Sequence, residues 1–408
     1  MMPLSNMPNG WQAKDISKVL FFQEGPGVRK WQFHDEGVKL LNVGNINNGE
    51  LTLSATKIHL SEEEAYGKYS HFLVDDGDLL IACSGIVVSN FHNKITFAKK
   101  EHLPLCMNTS TMRFKSLDES EISLNYFKYF LQTNYFTSQL RKLITGSAQL
   151  NFGPSHIKKM VVCFPVVKEQ KKIAEILDAA DILKQKDQQL VEHYDSLSQS
   201  LFLDMFGDPV RNQKGWDFCT LKEVGKVSTG NTPPRANLAN YGNHLEWIKT
   251  TNINTPNMYL TEAEEHLSIE GECIGRCVDA NSLLVTCIAG SKKVIGNVAI
   301  ANRKVAFNQQ INSFTPKFGN ILFYYYLFIV GKAHIQTFST NSMKGMINKS
   351  KFESIDFISP PIEKQNEFAE AVKSIQEQKE LAQQSLKKSD NLFNSLLQKA
   401  FKGELTAS

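Results

Sequence analysis

The strongest constraint on this chain is that it repeats itself, and that each copy ends in a long amphipathic stretch. After Pro165 the sequence runs Val166-Val-Lys-Glu-Gln-Lys-Lys-Ile-Ala-Glu-Ile-Leu; after Pro360 it runs Pro361-Ile-Glu-Lys-Gln-Asn-Glu-Phe-Ala-Glu-Ala-Val. At a constant offset of 195, Ser147 matches Ser342, Gln170 matches Gln365, Ala174 matches Ala369, Leu197 matches Leu392, Leu201 matches Leu396 and Phe206 matches Phe401. Upstream the copies drift apart: Gly10-Trp11 answers Gly215-Trp216, Asn45-Ile-Asn47 answers Asn252-Ile-Asn254, and Leu79-Leu80 answers Leu283-Leu284. A fixed helical end behind a divergent body is the pattern of two related modules on one frame.

The helical ends carry heptads. From Ile173 a seam runs at steps of 3 and 4 through Ile176, Ala180, Leu183, Asp187, Leu190, Tyr194, Leu197, Leu201 and Asp204. In the second copy Phe368, Val372, Ile375, Lys379, Ala382, Leu386, Ser389, Phe393, Leu396 and Ala400 do the same. A stripe this narrow suits one partner helix, so the two are expected to pack as an antiparallel coiled coil, the leucines and Tyr194 of the first facing Ile375, Leu386, Phe393 and Leu396 of the second. Pro165 and Pro360-Pro361 mark the starts and Gly207 and Gly403 the stops. Roughly 38 helical residues would span about 57 Å, more than the ~34 Å between equivalent major-groove faces one turn apart. The expected fold is α+β (mixed α/β) with a pseudo-two-fold repeat. A globular body spans 1–165, a helix 166–206, a second body 207–360 and a second helix 361–408.

The net charge of +3 is distributed unevenly. Residues 1–165 hold 17 basic and 15 acidic side chains and 207–360 hold 16 and 12, whereas 166–206 hold 5 and 8 and 361–408 hold 7 and 7. The bodies are the basic parts, as expected if they face phosphate while the helices face protein. Seven cysteines are scattered without a framework, which favours a reducing cytoplasm. Cys273, Cys277 and Cys287 with His266 lack a second close ligand pair and read as free thiols rather than a zinc site. No secretory signal is visible at Met1-Met-Pro-Leu-Ser-Asn, and the longest apolar run, 321–330, is too short to span a bilayer.

Each body presents polar loops in the same order. Asn45 and Asn47 correspond to Thr251, Asn252 and Asn254; Ser84 to Ser291, Lys292 and Lys293; Asn108 to Asn308 and Gln309; Ser147 and Gln149 to Ser342 and Lys344. Asn and Gln pair bidentately with adenine, Arg and Lys with guanine, and Ser or Thr with base edges or phosphate, so these are the candidate DNA-binding residues. As turn formers, the same residue types also suit loops with no ligand. The aromatic stretches 124–136 and 321–338 are helical and apolar in context, and read as core rather than base-stacking platforms. Catalytic motifs are missing: there is no phosphate-binding loop or dinucleotide fingerprint. Thr232-Pro-Pro-Arg235 lacks the leading carboxylate or amide and trailing aromatic of an amino-methyltransferase motif and reads as a stiffened loop. Glu169-Gln-Lys171 sits at a helix start without a paired acidic strand, unlike a nuclease site.

Ser147 to Ala174 with Glu169-Gln170, Leu201-Phe-Leu-Asp-Met-Phe-Gly207, Gly215-Trp216, Ser342 to Ala369 and Ala400-Phe-Lys-Gly403 together resemble the specificity (S) subunits of type I restriction-modification systems, over nearly the whole chain. That resemblance implies two target recognition domains, each reading half of a split DNA sequence, with the helices as spacer. It also implies that the helices dock modification (M) subunits, usually two, which use S-adenosylmethionine to methylate adenine N6. A motor-nuclease (R) subunit using ATP and Mg would complete the enzyme, and this chain would bind no cofactor or metal and supply no catalytic residue. The competing expectation is a tandem-domain scaffold that joins partners without reading DNA. Val166, standing where the second copy has Pro361, and Gly146-Ser-Ala-Gln, which differs from Asn341-Ser-Met-Lys, bear on particular base contacts rather than on the architecture.

Overall fold

A computed structural model describes residues 7–54, 56–144, 149–340 and 345–405. The chain divides into two compact units, 1–187 with 385–408, and 188–384.

Both units are built to one plan. In the first, a four-stranded antiparallel sheet has the order Leu20–Glu24, Thr111–Ser116, Leu79–Ala82, Ile95–Phe97. In the second the order is Gly225–Thr229, Ile311–Pro316, Ser282–Thr286, Val298–Ala301. The central strands of both carry unbroken apolar runs such as Leu79-Leu-Ile-Ala and Leu283-Leu-Val, because both faces are covered. Beside each lies a smaller mixed sheet, in which Leu105–Met107 pairs parallel with Val38–Leu41 in one unit and Val305–Phe307 pairs parallel with Leu245–Ile248 in the other. Against the large sheets pack aromatic helices, Leu124–Gln132 with Asn134–Leu143 and Ile321–Val330 with Lys332–Thr337, whose rings are core, as the sequence indicates.

The long helices span Val167–Phe206 and Ile362–Phe401. Each is pinned at its start by a buried glutamine of the repeat. Gln170 accepts the Ser123 N–H (2.9 Å) and donates to the carbonyls of Glu121 (2.8 Å) and Pro165 (2.9 Å). Gln365 accepts the Asn320 N–H (3.0 Å) and donates to Pro360 (2.9 Å). These buried amides tie the helix start to the segment that opens the aromatic helix, which accounts for a glutamine at this place in both copies. Both helices end on a left-handed glycine, Gly207 at φ 75° and Gly403 at φ 73°, where a side chain would be strained.

Each unit takes a half of both helices. In the first, Ile173, Leu177 and Ala180 join Phe393, Leu397 and Ala400 in one core with Trp11, Tyr126 and Phe130. In the second, Phe202 and Phe206 join Phe368, Ala369 and Val372 around Phe323. The pairing is antiparallel within each unit. Lys184 meets Asp390 (2.9 Å) while Asp187 accepts the Ser385 hydroxyl (3.2 Å), and Asp195 meets Lys379 (2.6 Å) while Phe202 packs on Phe368. The structure is thus α+β, with two domains joined by two long helices.

The seam of the second helix is the one read from the sequence. Phe393 is buried, and Ile375, Leu386 and Leu396 are half-buried. The seam of the first is shifted by one residue at alternate positions: it runs through Leu177, Lys184, Val191 and Ser198, with Tyr194 and Leu201 half-buried as expected. Leu183, Leu190 and Leu197 face outward, exposed by 46, 41 and 40%. The difference has a physical cause, because three of the buried or half-buried positions, Lys184, Asp187 and Ser198, are polar and find partners: Ser198 donates to the Tyr194 carbonyl (3.2 Å), Asp187 accepts from Ser385 (3.2 Å), and the Lys184 ammonium lies 5.3 Å from the centre of the Phe393 ring. A count of apolar residues prefers the leucines one position away.

Candidate nucleic-acid interface

In both units the polar loops are stitched to one end of the large sheet by equivalent backbone bonds. Cys83 N–H donates to the Ser110 carbonyl (2.9 Å) and its own carbonyl accepts from Phe152 (3.0 Å). Cys287 N–H donates to Gln310 (2.9 Å) and its carbonyl accepts from Ile347 (2.9 Å). Burial pushes both thiols up to about 12, so neither is a thiolate nucleophile. Gly25 and Gly230 cross the backbone of Asn108 and Asn308 so closely that a Cβ would collide with the carbonyl, bringing a further loop to the same place.

Within this frame the candidate residues divide into two kinds. Asn45 and Asn252, equivalent in the repeat, both lock a single 3-10 turn. Asn45 accepts the Asn42 N–H (2.9 Å) and donates to Thr52 O (3.0 Å) and Thr56 Oγ1 (2.7 Å); Asn252 accepts the Lys249 N–H (3.0 Å) and donates to Thr261 Oγ1 (3.2 Å) and Glu262 O (2.8 Å). Both amide hydrogens and the oxygen of each are engaged within its own unit, so in this structure each serves as a turn lock. Asn308 is buried, accepts the Gln310 N–H (3.0 Å) and donates to Gln310 Oε1 (3.3 Å).

The other kind is at the surface. Asn47 is exposed and accepts from Lys94 (2.7 Å), whose ammonium also donates to Val43 O and Ile46 O; burial lowers the Lys94 pKa from its ordinary value. Half-buried Asn108 donates to Asn42 Oδ1 (2.7 Å), joining the 42–47 and 108–110 loops. Ser84 donates to Asn151 Oδ1 (2.8 Å), which ties it to the strand holding Gln149. In the second unit Thr251, Ser291, Lys292 and Lys293 are exposed. Exposed Asn254 accepts from Thr286 Oγ1 (3.2 Å) and Asn297 Nδ2 (2.9 Å), and exposed Gln309 accepts from Thr232 Oγ1. Ser147, Ser342 and Lys344 lie outside the described residues.

Lys94 and Asn297 join these loops without a sequence pattern that points to them, and the Thr232–Arg235 loop is more than a stiffened turn. The Arg235 guanidinium lies over the rings of Tyr241 (4.6 Å) and Trp247 (4.9 Å) and pairs with Glu265 (2.7 Å), which Lys249 also engages. Hydrogen bonding from Lys249, with Arg235 adding to it, holds the Glu265 carboxyl below its usual value. Among the described residues no His/Cys/Asp/Glu group is placed to hold a metal, and no helix is long and apolar enough to cross a membrane.

The model of the type I restriction modification DNA specificity domain matches twice, at residues 8–193 and 213–388. The chain belongs to that family. The specificity subunit of the type I restriction enzyme StySPI of Salmonella potsdam is 21% identical over 100% of this chain and 91% of its own length. The MjaVIII specificity subunit of Methanocaldococcus jannaschii is 24% identical over 46% of this chain and 44% of its own. The crystal structure of the type I restriction-modification S subunit from M. genitalium shares the fold, with a TM-score of 0.53 over 96% of each chain at 13% identity. A family member's role is DNA sequence specificity within a type I complex, and these chains are its specificity component rather than its enzyme.

Proposed function

We propose that this specificity subunit reads a bipartite DNA target, each unit reading one half, with the long helices setting the spacer. The observation that carries this reading is the duplication of the loop cluster: the same backbone bonds at Cys83 and Cys287 gather divergent polar loops at the same end of the same sheet. Fixed scaffolds with variable loops suit variable base sequence. Exposed Gln309, Thr251, Asn254 and Asn47, with Asn108 and Ser84, face bases, and Lys292 and Lys293 neutralise phosphate.

The helices dock modification subunits, two per chain in keeping with the repeat, and the outward leucines of the first helix supply apolar surface for them. Methyl transfer to adenine N6, with S-adenosylmethionine, belongs to those subunits, and ATP- and Mg-dependent translocation and cleavage to a motor-nuclease subunit, all in the cytoplasm. This chain's part is to hold the duplex where a partner can flip the adenine. Methylome sequencing of a host carrying the chain and its modification subunit tests the reading. Exchanging residues 1–165 for the equivalent body of another family member should change one half of the methylated sequence and leave the other half and the spacer. A change in both halves, or methylation that ignores the exchange, would overturn modular reading.

A further inference from the structure

The two most exposed large apolar side chains among the described residues are Leu238 at 80% and Trp31 at 78%. They lie on corresponding turns of the two units. In the first, the chain crosses Asn108 at Gly25 and enters a single 3-10 turn, Lys30–Gln32, with Trp31 at its centre. In the second it crosses Asn308 at Gly230 and enters the 3-10 turn Leu238–Asn240, with Leu238 at its start.

Each turn is locked by a buried amide. Gln32 accepts the Arg29 N–H (3.1 Å) and donates to Glu64 Oε1 (2.7 Å) and Tyr69 Oη (3.0 Å). Asn240 donates to the Pro234 carbonyl (3.1 Å), and its own carbonyl accepts from Ser268 (3.0 Å). Ser61 and Ser268, which cap the short helices behind the two turns, mark the positions as counterparts. A large apolar side chain held rigidly in water twice over is not accounted for by packing. Exposed Arg29 and Lys30 flank the first tip, and Arg235 lies in the loop leading to the second.

We propose that Trp31 and Leu238 are wedges that enter between adjacent base pairs of the bound duplex, one in each half of the target. The inference rests on the DNA-reading role above. The first tip has Arg29 and Lys30 beside it, whereas Arg235 near the second is held by Glu265 and the rings of Tyr241 and Trp247; a lone apolar tip suits a gap between stacked bases, where a protein partner would ask for a contiguous apolar patch. The glycine crossings place each tip a few residues along the chain from where it passes the loop that holds Asn108 or Asn308, so insertion and base reading are served by neighbouring segments of each unit. Insertion unstacks a base step and bends the duplex toward further contact with the protein.

The test uses the full chain assembled with its modification subunits and duplexes carrying the methylated site, with 2-aminopurine scanned through each half and a dye at each end. Trp31→Ala should weaken binding on the order of tenfold, the scale of one lost aromatic–base stack, and Leu238→Ala should weaken it by less, since an aliphatic wedge has no ring to stack. The 2-aminopurine signal should be lost in the corresponding half only, and end-to-end energy transfer should report a straighter duplex. The salt slope should stay unchanged, since no phosphate contact is removed, and Trp31→Phe should retain most of the binding. If the wild-type complex selects its sequence but both alanine variants bind, unstack and bend as it does, the wedges are refuted and the DNA-reading role stands. Loss of modification-subunit binding in these variants, with DNA geometry unaltered, would make the tips protein contacts and also refute them. A wild-type complex without sequence preference would refute the reading and the wedges together.

Discussion

The two long helices have the same length and share the repeat, yet they hide different residues. The second buries the apolar positions of its heptads, Phe368, Val372, Ala382 and Phe393 among them, with Lys379 and Ser389 the polar residues of its seam and Leu392, like its counterpart Leu197, exposed. The first turns Leu183, Leu190 and Leu197 to solvent and places Lys184, Asp187 and Ser198 in the seam. A polar seam residue that finds its partner at one register only, as Lys379 does with Asp195 and Lys184 with Asp390, specifies alignment at little gain in stability. The difference teaches that one helix can carry two stripes: a polar one that sets the register inside the chain and an apolar one left for another molecule.

The largest expected effect is at the helix ends, where Phe202 and Leu397 are equivalent in the repeat. Phe202 is fully buried among Phe206, Phe323 and Phe368, while Leu397 keeps a little exposure. Phe202→Ala should cost about 3–5 kcal/mol and Leu397→Ala about 2–3 kcal/mol, read as shifts in urea unfolding of the purified chain. Equal or inverted costs would break this part of the comparison, because the fully buried ring would then hold its helix end no more firmly than the partly exposed leucine holds the other.

An intermediate effect is expected at the polar seam. Asp195→Ala leaves the buried Lys379 ammonium without its partner, but Asp195 is itself half-exposed, so about 1–2 kcal/mol is expected rather than the full cost of an orphaned buried charge. Lys379→Met removes charge and desolvation together and should be neutral or stabilising. Denaturation of the two variants side by side decides the matter. A methionine variant as damaged as the alanine variant would mean that the pair contributes stability rather than alignment.

Much of this was legible in the sequence where the signal is periodic. The repeat, both helices, the aromatic core helices and the entire second seam follow from spacing and punctuation at Pro165, Pro360, Gly207 and Gly403. The first seam was misread because hydrophobicity cannot see that Asp187 has Ser385 waiting for it 198 residues away. In the loops the same limit appears: residue type alone does not tell that Asn45 and Asn252 each lock a 3-10 turn, which only their hydrogen-bond partners reveal. Trp31 and Leu238 lie in stretches without periodicity, so exposure, which decides their role, has no sequence signal.

The smallest expected effect on the chain itself tests the outward stripe. Leu190→Asp with Leu197→Asp replaces two exposed side chains and should move the unfolding midpoint by no more than about 0.5 kcal/mol in stability. Val191→Asp, one residue along and half-buried in the seam, should cost about 1–3 kcal/mol because it buries a carboxylate without a partner. The leucine variant should nonetheless lose affinity for the modification subunit, measured by pull-down and by analytical ultracentrifugation of the mixture, since its apolar contact surface has been charged. If it unfolds as readily as Val191→Asp, the seam lies where the heptad count put it. If it folds and binds the modification subunit at full strength, the seam stands and docking moves to another face, which would leave the exposed leucines without a role in assembly.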